Sequence, residues 1–575
     1  MKSLLTYLRK YTKECILAPL FKMLEASFEL MIPLVLQTMI DQGINGGDQS
    51  VIYRSVVIMV ALCLIGLLSS VTAQYFSARA AVGIATGVRH SLFKHLQRLS
   101  FSNMDEMGSS TMITRMTSDV NLVQTGVNMT LRLFMRSPFV VFGAMVMAFT
   151  IDVRSALIFV AVIIALSVVV FGVMALNIPM MKGVQKALDK VLGATRENLS
   201  GVRVIRAFCK EDAQYAEFVE KNRDLAHRQK RAGWISGLTN PVTYLLINLA
   251  IAYLIYTGAV QVSVGVLTPG EVVALYNYMG QILVELIKLA NLIVTMNKAA
   301  AGWTRISDAL AIEPDMSSPE VTAKPAITND EAVRFANVSL QYKKAGSESL
   351  TGIDFTALKG QTIGVIGGTG SGKSSVVRMI PRFYDATAGE VYVNGVNVRD
   401  WREDELRDRI GFVLQKAVLF KGSIRDNLRW GKSDATDAEL KEAIRLAQAE
   451  DVVAAKGGLD AQIEQNGRNL SGGQRQRLTV ARALVRRPEI LILDDSASAL
   501  DQATDLNLRR AIAGLDYHPT VFIVSQRAAS IRYADQILVM DDGRLVGLGS
   551  HDQLMESCPV YREIYESQYG EEASA

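Results

Sequence analysis

Residues 364–375 read GVIGGTGSGKSS, where an apolar run (362–366) breaks into a glycine-rich turn and then into residues that favour a helix. Within this stretch Gly367 to Ser374 match G-x-x-x-x-G-K-[ST], the spacing of a phosphate-binding loop. Gly367, Gly368, Gly370 and Gly372 have no Cβ. Successive backbone N–H groups, those of Thr369, Ser371 and Ser375 among them, can therefore curl round a phosphate at the N-terminus of the following helix. Lys373 reaches the β/γ oxygens, and the Ser374 hydroxyl is placed to ligate Mg²⁺. The stretch predicts a nucleoside triphosphate site on an α/β core. A chance glycine turn would lack the strand-like run before it and the helical pattern after it.

At 575 residues the chain exceeds a single domain. Its hydrophobic fraction of 49% is concentrated in the first half, which points to a membrane protein. A formal charge of +4 would suit a nucleic-acid partner, but the cationic residues sit in loops beside apolar segments, where they orient a chain in a bilayer. No nucleic-acid partner is expected. Cys15, Cys63, Cys209 and Cys558 show neither C-x-x-C nor metal spacing, which argues against a disulfide framework and a zinc site. The first 15 residues, MKSLLTYLRKYTKEC, lack the apolar core and cleavage site of a removable signal. Leu4, Leu5, Leu8 and Tyr11 are spaced for an amphipathic helix lying in the membrane interface.

A bilayer-spanning helix needs roughly 20 predominantly apolar residues. Six segments qualify, at about 15–40, 53–75, 133–151, 155–176, 241–262 and 270–294. Residues 41–50, 151–154 and 260–271 form short connections with Arg154 as their one basic residue. The N-terminus and the long segments 76–132 and 177–240 carry Arg79, Arg89, Arg98, Arg115, Lys182, Lys190, Arg206 and further cations. The positive-inside tendency then places both termini and both long segments in the cytosol, on a multi-pass protein of the cell (inner or plasma) membrane. Apolar residues recur at three and four positions within the long segments, so the spans are expected to continue as helices beyond the bilayer. Glu29, Arg136, Glu285 and Lys288, with Asn248 and Gln281, are polar positions inside spans. They either line a substrate pathway or pair with one another.

Residues 312–330 lose periodicity and include Pro314, Pro319 and Pro325, the signature of a linker. The expected division is a transmembrane domain over 1–305, a linker over 306–330 and a nucleotide-binding domain over 331–575. In the last, strand-like and helical runs alternate, as in an α/β core with a largely parallel sheet. ILILDD (490–495) reads as a buried strand ending in acid, with Asp494 holding the Mg²⁺ shell opposite Ser374. LSGGQ (470–474) precedes RQRLTVARAL. Ser471, Gly472, Gly473 and Gln474 would open that helix and turn its N–H groups toward an anion.

The phosphate-binding loop, LSGGQ and ILILDD in this order resemble the ATP-binding cassette (ABC) family, and six spans fused to one cassette resemble an exporter half-transporter. The resemblance implies a membrane all-α domain with long cytosolic extensions followed by an α/β P-loop ATPase domain, with ATP and Mg²⁺ as ligands. It implies adenine stacking for Tyr342, and for Gln415 in GFVLQ a link from Mg²⁺ and the attacking water to the membrane domain. Asp501 in SALD matches the loop that passes between paired cassettes, and residues 101–120 and 201–212 match the turns that dock exporter loops on cassettes. In the family each ATP lies between one cassette's P-loop and the other's LSGGQ, so the working unit is a dimer.

Two positions depart from the family. Asp495 stands where the family has Glu as general base, and Gln526 where it has His against the γ-phosphate. Asp is one methylene shorter, and a misplacement of about 1 Å can cost on the order of 10²-fold in rate. Glutamine cannot supply imidazole geometry or protonation. Both losses resemble the degenerate-site subunit of heterodimeric bacterial multidrug exporters. The implied partner is a homologous half-transporter with Glu and His, to which this chain gives its LSGGQ. The implied cargo is an amphipathic drug, lipid or peptide. An ATP-gated channel or regulatory subunit would also tolerate a weak site, whereas a soluble cassette acting on nucleic acid is disfavoured by the spans.

Overall fold

The computed structural model describes residues 4–323, 330–343 and 345–569. The chain forms two compact units, one of Met1–Gln97 with Ser110–Ile312 and the other of Arg98–Ser109 with Glu313–Ala575. The short segment Arg98–Ser109 thus belongs with the C-terminal unit, although it lies within the N-terminal half of the sequence.

The first half runs α1 (Leu4–Leu8), α2 (Thr12–Thr38), α3 (Gln49–Leu96), α4 (Phe101–Met107), α5 (Ser109–Thr114), α6 (Val120–Leu133), α7 (Arg136–Ile151), α8 (Val153–Ser200), α9 (Val202–Ala207), α10 (Glu211–Ser263) and α11 (Pro269–Ala311). Helices α3 and α8 each have 48 residues and α10 has 53. At 1.5 Å per residue these are roughly 70–80 Å long, more than twice the hydrocarbon thickness. Each therefore extends far beyond any bilayer it crosses.

Among the described residues five helices are long and apolar enough to span a membrane: Gln49–Leu96, Ser109–Ile151 (continuous through α5 to α7), Val153–Ser200, Glu211–Ser263 and Pro269–Ala311. The sixth expected span, at 15–40, is not among them. Helix α2 occupies that place, but Lys22, Glu25 and Glu29 interrupt its apolar run. Their charges have partners: Lys22 bonds Glu25 and donates to Ser70 Oγ at 3.1 Å, and Glu29 pairs with Arg136.

The core of this unit joins Val140, Val141, Ala144 and Ala148 of α7, Phe159 and Leu166 of α8, and Leu275, Tyr278, Met279 and Ile282 of α11. The buried Tyr278 hydroxyl donates to Leu30 O at 2.7 Å, so it costs no orphaned polar group. Arg136 donates to both Glu29 and Glu285, Ser137 donates to Glu285 Oε2 at 2.7 Å, and Lys288 pairs with Glu285 at 2.8 Å. Of the two readings open for these charges, internal pairing is what the geometry shows. Asn248 is exposed and donates to Tyr244 O, while Gln281 Oε1 is buried without a partner among the described residues.

The N-terminal helix is not laid out as an interfacial one. Tyr7 is buried, and Leu4, Leu8 and Tyr11 pack beside it on a cluster of Ile84, Val88, Val120, Val123 and Ile306, with Trp303 edge-on to Tyr7 at 6.0 Å. The apolar stripe covers protein, and only Leu5 is left exposed. Helix α11 continues to Ala311, so the expected linker start at 306 falls inside it. Residues 324–329 of that linker, with Pro325, lie outside the described residues.

The second unit contains strands β1 (Glu331–Leu340), β2 (Leu350–Leu358), β3 (Thr362–Gly367), β4 (Ala388–Val393), β5 (Val396–Asn397), β6 (Ile410–Val413), β7 (Gly422–Ser423), β8 (Gln462–Ile463), β9 (Ile490–Asp494), β10 (Thr520–Val524), β11 (Gln536–Asp541) and β12 (Arg544–Gly549). Its helices are α12 (Lys373–Met379), α13 (Glu403–Asp408), α14 (Ile424–Arg429), α15 (Asp437–Leu446), α16 (Glu450–Lys456), α17 (Gly472–Leu484), α18 (Gln502–Ala513), α19 (Ala528–Ile531), α20 (His551–Ser557) and α21 (Pro559–Tyr569). The central sheet has the order β12-β11-β3-β10-β9-β6, with β11, β3, β10, β9 and β6 parallel. A second, antiparallel sheet has the order β2-β1-β4-β5. Every residue of β9 and β10 is buried, the pattern of strands covered on both faces.

Candidate nucleotide-binding site

The parallel register sets Val365 of β3 and Asp494 of β9 on either side of Val524. The segments leaving these three strands, 367–372, 495 and 525–526, therefore emerge at one end of the sheet. This is where an open α/β sheet holds its ligand. A cleft of about 480 Å³ opens there, lined by Tyr342, Thr369, Gly370, Ser371, Gly372, Lys373, Ser374, Ser375, Gln415, Asp495 and Gln526.

The loop depends on its glycines at specific points. Gly367, Gly370 and Gly372 have φ of +154°, +84° and +95°. A Cβ on Gly367 would lie 2.0 Å from Met540 O, and one on Gly372 would lie 2.7 Å from Leu350 Cδ2. Beyond the loop, α12 begins at Lys373. Its Nζ donates to Gly367 O at 2.9 Å and Gly368 O at 2.6 Å, folding the ammonium back over the cradle. Ser374 Oγ donates to Asp494 Oδ1 at 2.7 Å. The other oxygen, Asp494 Oδ2, is buried with no hydrogen-bond partner among the described residues, and Arg378 stands 3.8 Å from it. A buried carboxylate oxygen with spare lone pairs beside a serine hydroxyl is the donor set a hard divalent cation takes. The residues fit Mg²⁺, with Ser374 and Asp494 the ones that would hold it. Burial lowers the proton affinity of Lys373 and raises that of Asp494 and Asp495. Each charge is thus held at a cost that an anionic phosphate with its cation would offset.

Asp495 occupies the left-handed region, φ +46°, with its amide donating to Val524 O at 3.1 Å. Its carboxylate accepts from Gln415 Nε2 at 3.2 Å, so Gln415 stands on Asp495. Gln526 is exposed at the cleft wall. Tyr342 shares a hydrogen bond with Ser375 Oγ at 3.0 Å and sits edge-on to Tyr384 at 4.9 Å.

Ser471 N-caps α17 through a capping box with Gln474, and a Cβ on Gly473 would lie 2.9 Å from Ala499 O. Ser471, Gly472, Gly473 and Gln474 do not line the cleft of their own chain. Asp501 N-caps α18, accepting from Thr504 N at 2.9 Å. The sequence reading overlooked Ser347, Glu348, Ser349, Asp542 and Gly543, which also line the cleft. The Asp541–Asp542–Gly543 run between two apolar stretches is a hairpin-turn signal that marks part of it; Arg378 had no such signal.

The segment Arg98–Ser109 docks near this cleft. Phe101 packs on Phe383 at 4.5 Å, Tyr384 donates to Asp105 Oδ2 at 2.6 Å, and Ser100 bonds Asp315. Burial and then Asp105 raise the Tyr384 phenol above its ordinary value, so it stays a donor. Asp105, Tyr384, Tyr342 and Ser375 thus form a continuous line from α4 to the phosphate loop.

The family model described as ABC transporter transmembrane region matches residues 15–286, and the one described as ABC transporter matches residues 350–498. Over 575 residues, all of both chains, the sequence is 34% identical to YfiB of Bacillus subtilis, an uncharacterised ABC transporter ATP-binding protein. The chain belongs to the ABC transporter family. With one membrane region and one cassette, this ABC transporter is an exporter-type half-transporter. It is also 32% identical, over 99% of its length and 98% of the relative's, to Bacillus subtilis YgaD, named provisionally as a multidrug export ATP-binding/permease protein. A solved bacterial Atm1-family ABC exporter with ATP bound matches the transporter with a TM-score of 0.78 over 98% of each chain at 24% identity, a likeness of fold.

Proposed function

We propose that this chain is the degenerate-site subunit of a heterodimeric exporter. The observation that carries the reading is the cleft itself: Asp495 and Gln526 line it in place of the family's Glu and His, while Ser471 does not line it at all. The P-loop of this chain holds ATP against a partner's signature helix, and its own LSGGQ faces the ATP that the partner's Glu and His hydrolyse. Lys373 and the loop N–H groups bind the phosphates, and Tyr342 stacks on the base. Mg²⁺ held by Ser374 and Asp494, with Gln415 beside it as the expected third contact, would neutralise phosphate charge. Asp495, bonded to Gln415 and one methylene short, holds water too loosely to take its proton efficiently. Closure of the cassettes on ATP passes to the spans through the long cytosolic loops, whose turns lie at 101–120 and 201–212.

An apolar groove of about 790 Å³, lined by Met23, Met31, Phe134, Phe139, Phe142 and Leu289, suits the apolar part of an amphipathic drug, lipid or peptide. Six crossings, with α2 as the first, put both termini in the cytosol. Cysteines at Gly46 and Val264 should then react with an impermeant thiol reagent from outside cells, and one at Glu211 should not. Purified alone, the chain should bind ATP in a Lys373-dependent manner with little turnover, and the native complex should contain a homologous second chain. Robust Mg²⁺-dependent hydrolysis by a homodimer, lost in Lys373→Ala, would remove the heterodimer reading.

A further inference from the structure

The loop after β10 carries Gln526 to the cleft, and its backbone is held from the far C-terminal helix. Gln568 of α21 lays its side-chain amide along this loop. Its Nε2 donates to Gln526 O at 2.8 Å, and its Oε1 accepts from Ala528 N at 2.8 Å. Flipping the amide would set donor against donor and acceptor against acceptor, so both bonds fix one orientation. Helix α21 is itself anchored. Tyr561 is fully buried and shares a 2.8 Å hydrogen bond with His551 Nδ1, while Tyr565 packs against the same core cluster that contains Ala528 and Ile531. From α18, Arg509 donates to Ala529 O at 3.0 Å and Ser530 O at 3.3 Å and pairs with Asp505 at 3.0 Å. The loop is thus gripped on both sides, and among the described residues the α21 side holds 526–528 through one side chain.

We infer that Gln568 is a positioning residue for the γ-phosphate contact: by bridging Gln526 O and Ala528 N it holds the backbone that aims the Gln526 side chain into the cleft. The inference rests on the reading of Gln526 as the γ-phosphate position. Gln568 is exposed and adds no core packing, so its removal acts on the loop more than on the fold. A rigid loop meets a γ-phosphate without first losing conformational freedom, whereas ADP makes no contact there and gains nothing from the rigidity.

The test is the preference of the purified full-length chain for ATP over ADP, measured by competition against a fluorescent ATP analogue. Gln526→Ala should lower that preference about tenfold, the size of a hydrogen bond to a charged group. Gln568→Ala should lower it to a similar degree with ADP affinity and melting midpoint unchanged, and the double variant should lose nothing further. Gln568→Glu keeps an acceptor for Ala528 N but sets a carboxylate oxygen against Gln526 O, and should lower the preference at least as far as Gln568→Ala. If Gln526→Ala lowers the preference while Gln568→Ala and Gln568→Glu leave it intact, or weaken ATP and ADP alike, the positioning role is wrong and the γ-phosphate reading stands. If Gln526→Ala itself leaves the preference intact, both fall.

Discussion

At the residue scale, Arg136 shows most clearly what burial demands of a charge. It is 6% exposed, its guanidinium spans Glu29 and Glu285, and Glu285 is 3% exposed with Ser137 and Lys288 as further partners. Removing Arg136 leaves the buried Glu285 with Lys288 and Ser137 as its compensation, a loss bounded by the about 3–5 kcal/mol typical of a broken buried ion pair. Arg136→Met should lower thermal stability in detergent by that order, and the further change Glu285→Gln should recover part of it. An unshifted melting midpoint in Arg136→Met would show that the network contributes nothing. The sequence revealed which residues were charged within apolar runs but not that they met, because Glu29, Arg136 and Glu285 are separated by more than a hundred positions. The phosphate loop was legible for the opposite reason. Gly367, Lys373 and Ser374 are neighbours whose spacing is itself the geometry, whereas the orphaned Asp494 oxygen and the Gln568 amide emerge only once distant segments are folded together.

At the element scale, the N-terminus of α11 is held by a residue 227 positions earlier. Asp41, in the π-helical turn Met39–Ile44, accepts from Thr268 Oγ1 at 2.6 Å and from Gly270 N at 2.8 Å, and Thr268 forms a capping box with Glu271. A carboxylate there also meets the positive end of the helix dipole. Asp41→Ala should destabilise the membrane unit by about 1–2 kcal/mol. Gly270→Ala should cost more, since its Cβ would lie 2.6 Å from both Asp41 Oδ2 and the Gln37 carbonyl. Melting midpoints in detergent decide this, and an Asp41→Ala change larger than that of Gly270→Ala would contradict the close approach. The capping box at 268–271 can be read locally, but its tie to Asp41 cannot. The same limit explains the first span: hydropathy suggested a crossing at 15–40, yet Lys22, Glu25 and Glu29 set α2 apart from the five more apolar helices. Amphipathic spacing in α1 was likewise correct as a pattern, but spacing alone does not say whether its stripe meets lipid or Trp303 and Ile306.

At the scale of the whole molecule, the proposed heterodimer would give each chain two half-sites with different fates. Its own cleft contains the P-loop, Asp495 and Gln526, and its Ser471 stands outside that cleft at the start of α17. In the proposed heterodimer Ser471 therefore faces the γ-phosphate that is cleaved, and Asp495 faces one that persists. Losing a hydroxyl bond to a charged phosphate costs about 1.5–3 kcal/mol, or roughly ten- to a hundredfold in rate when the bond is expressed in the transition state. The deciding measurement is steady-state ATP hydrolysis by the native complex carrying either Ser471→Ala or Asp495→Ala, with ATP occupancy measured alongside. The account predicts a ten- to hundredfold loss for Ser471→Ala, on the order set by that bond, and near wild-type turnover for Asp495→Ala. Abolished hydrolysis in Asp495→Ala with Ser471→Ala close to wild type would contradict it.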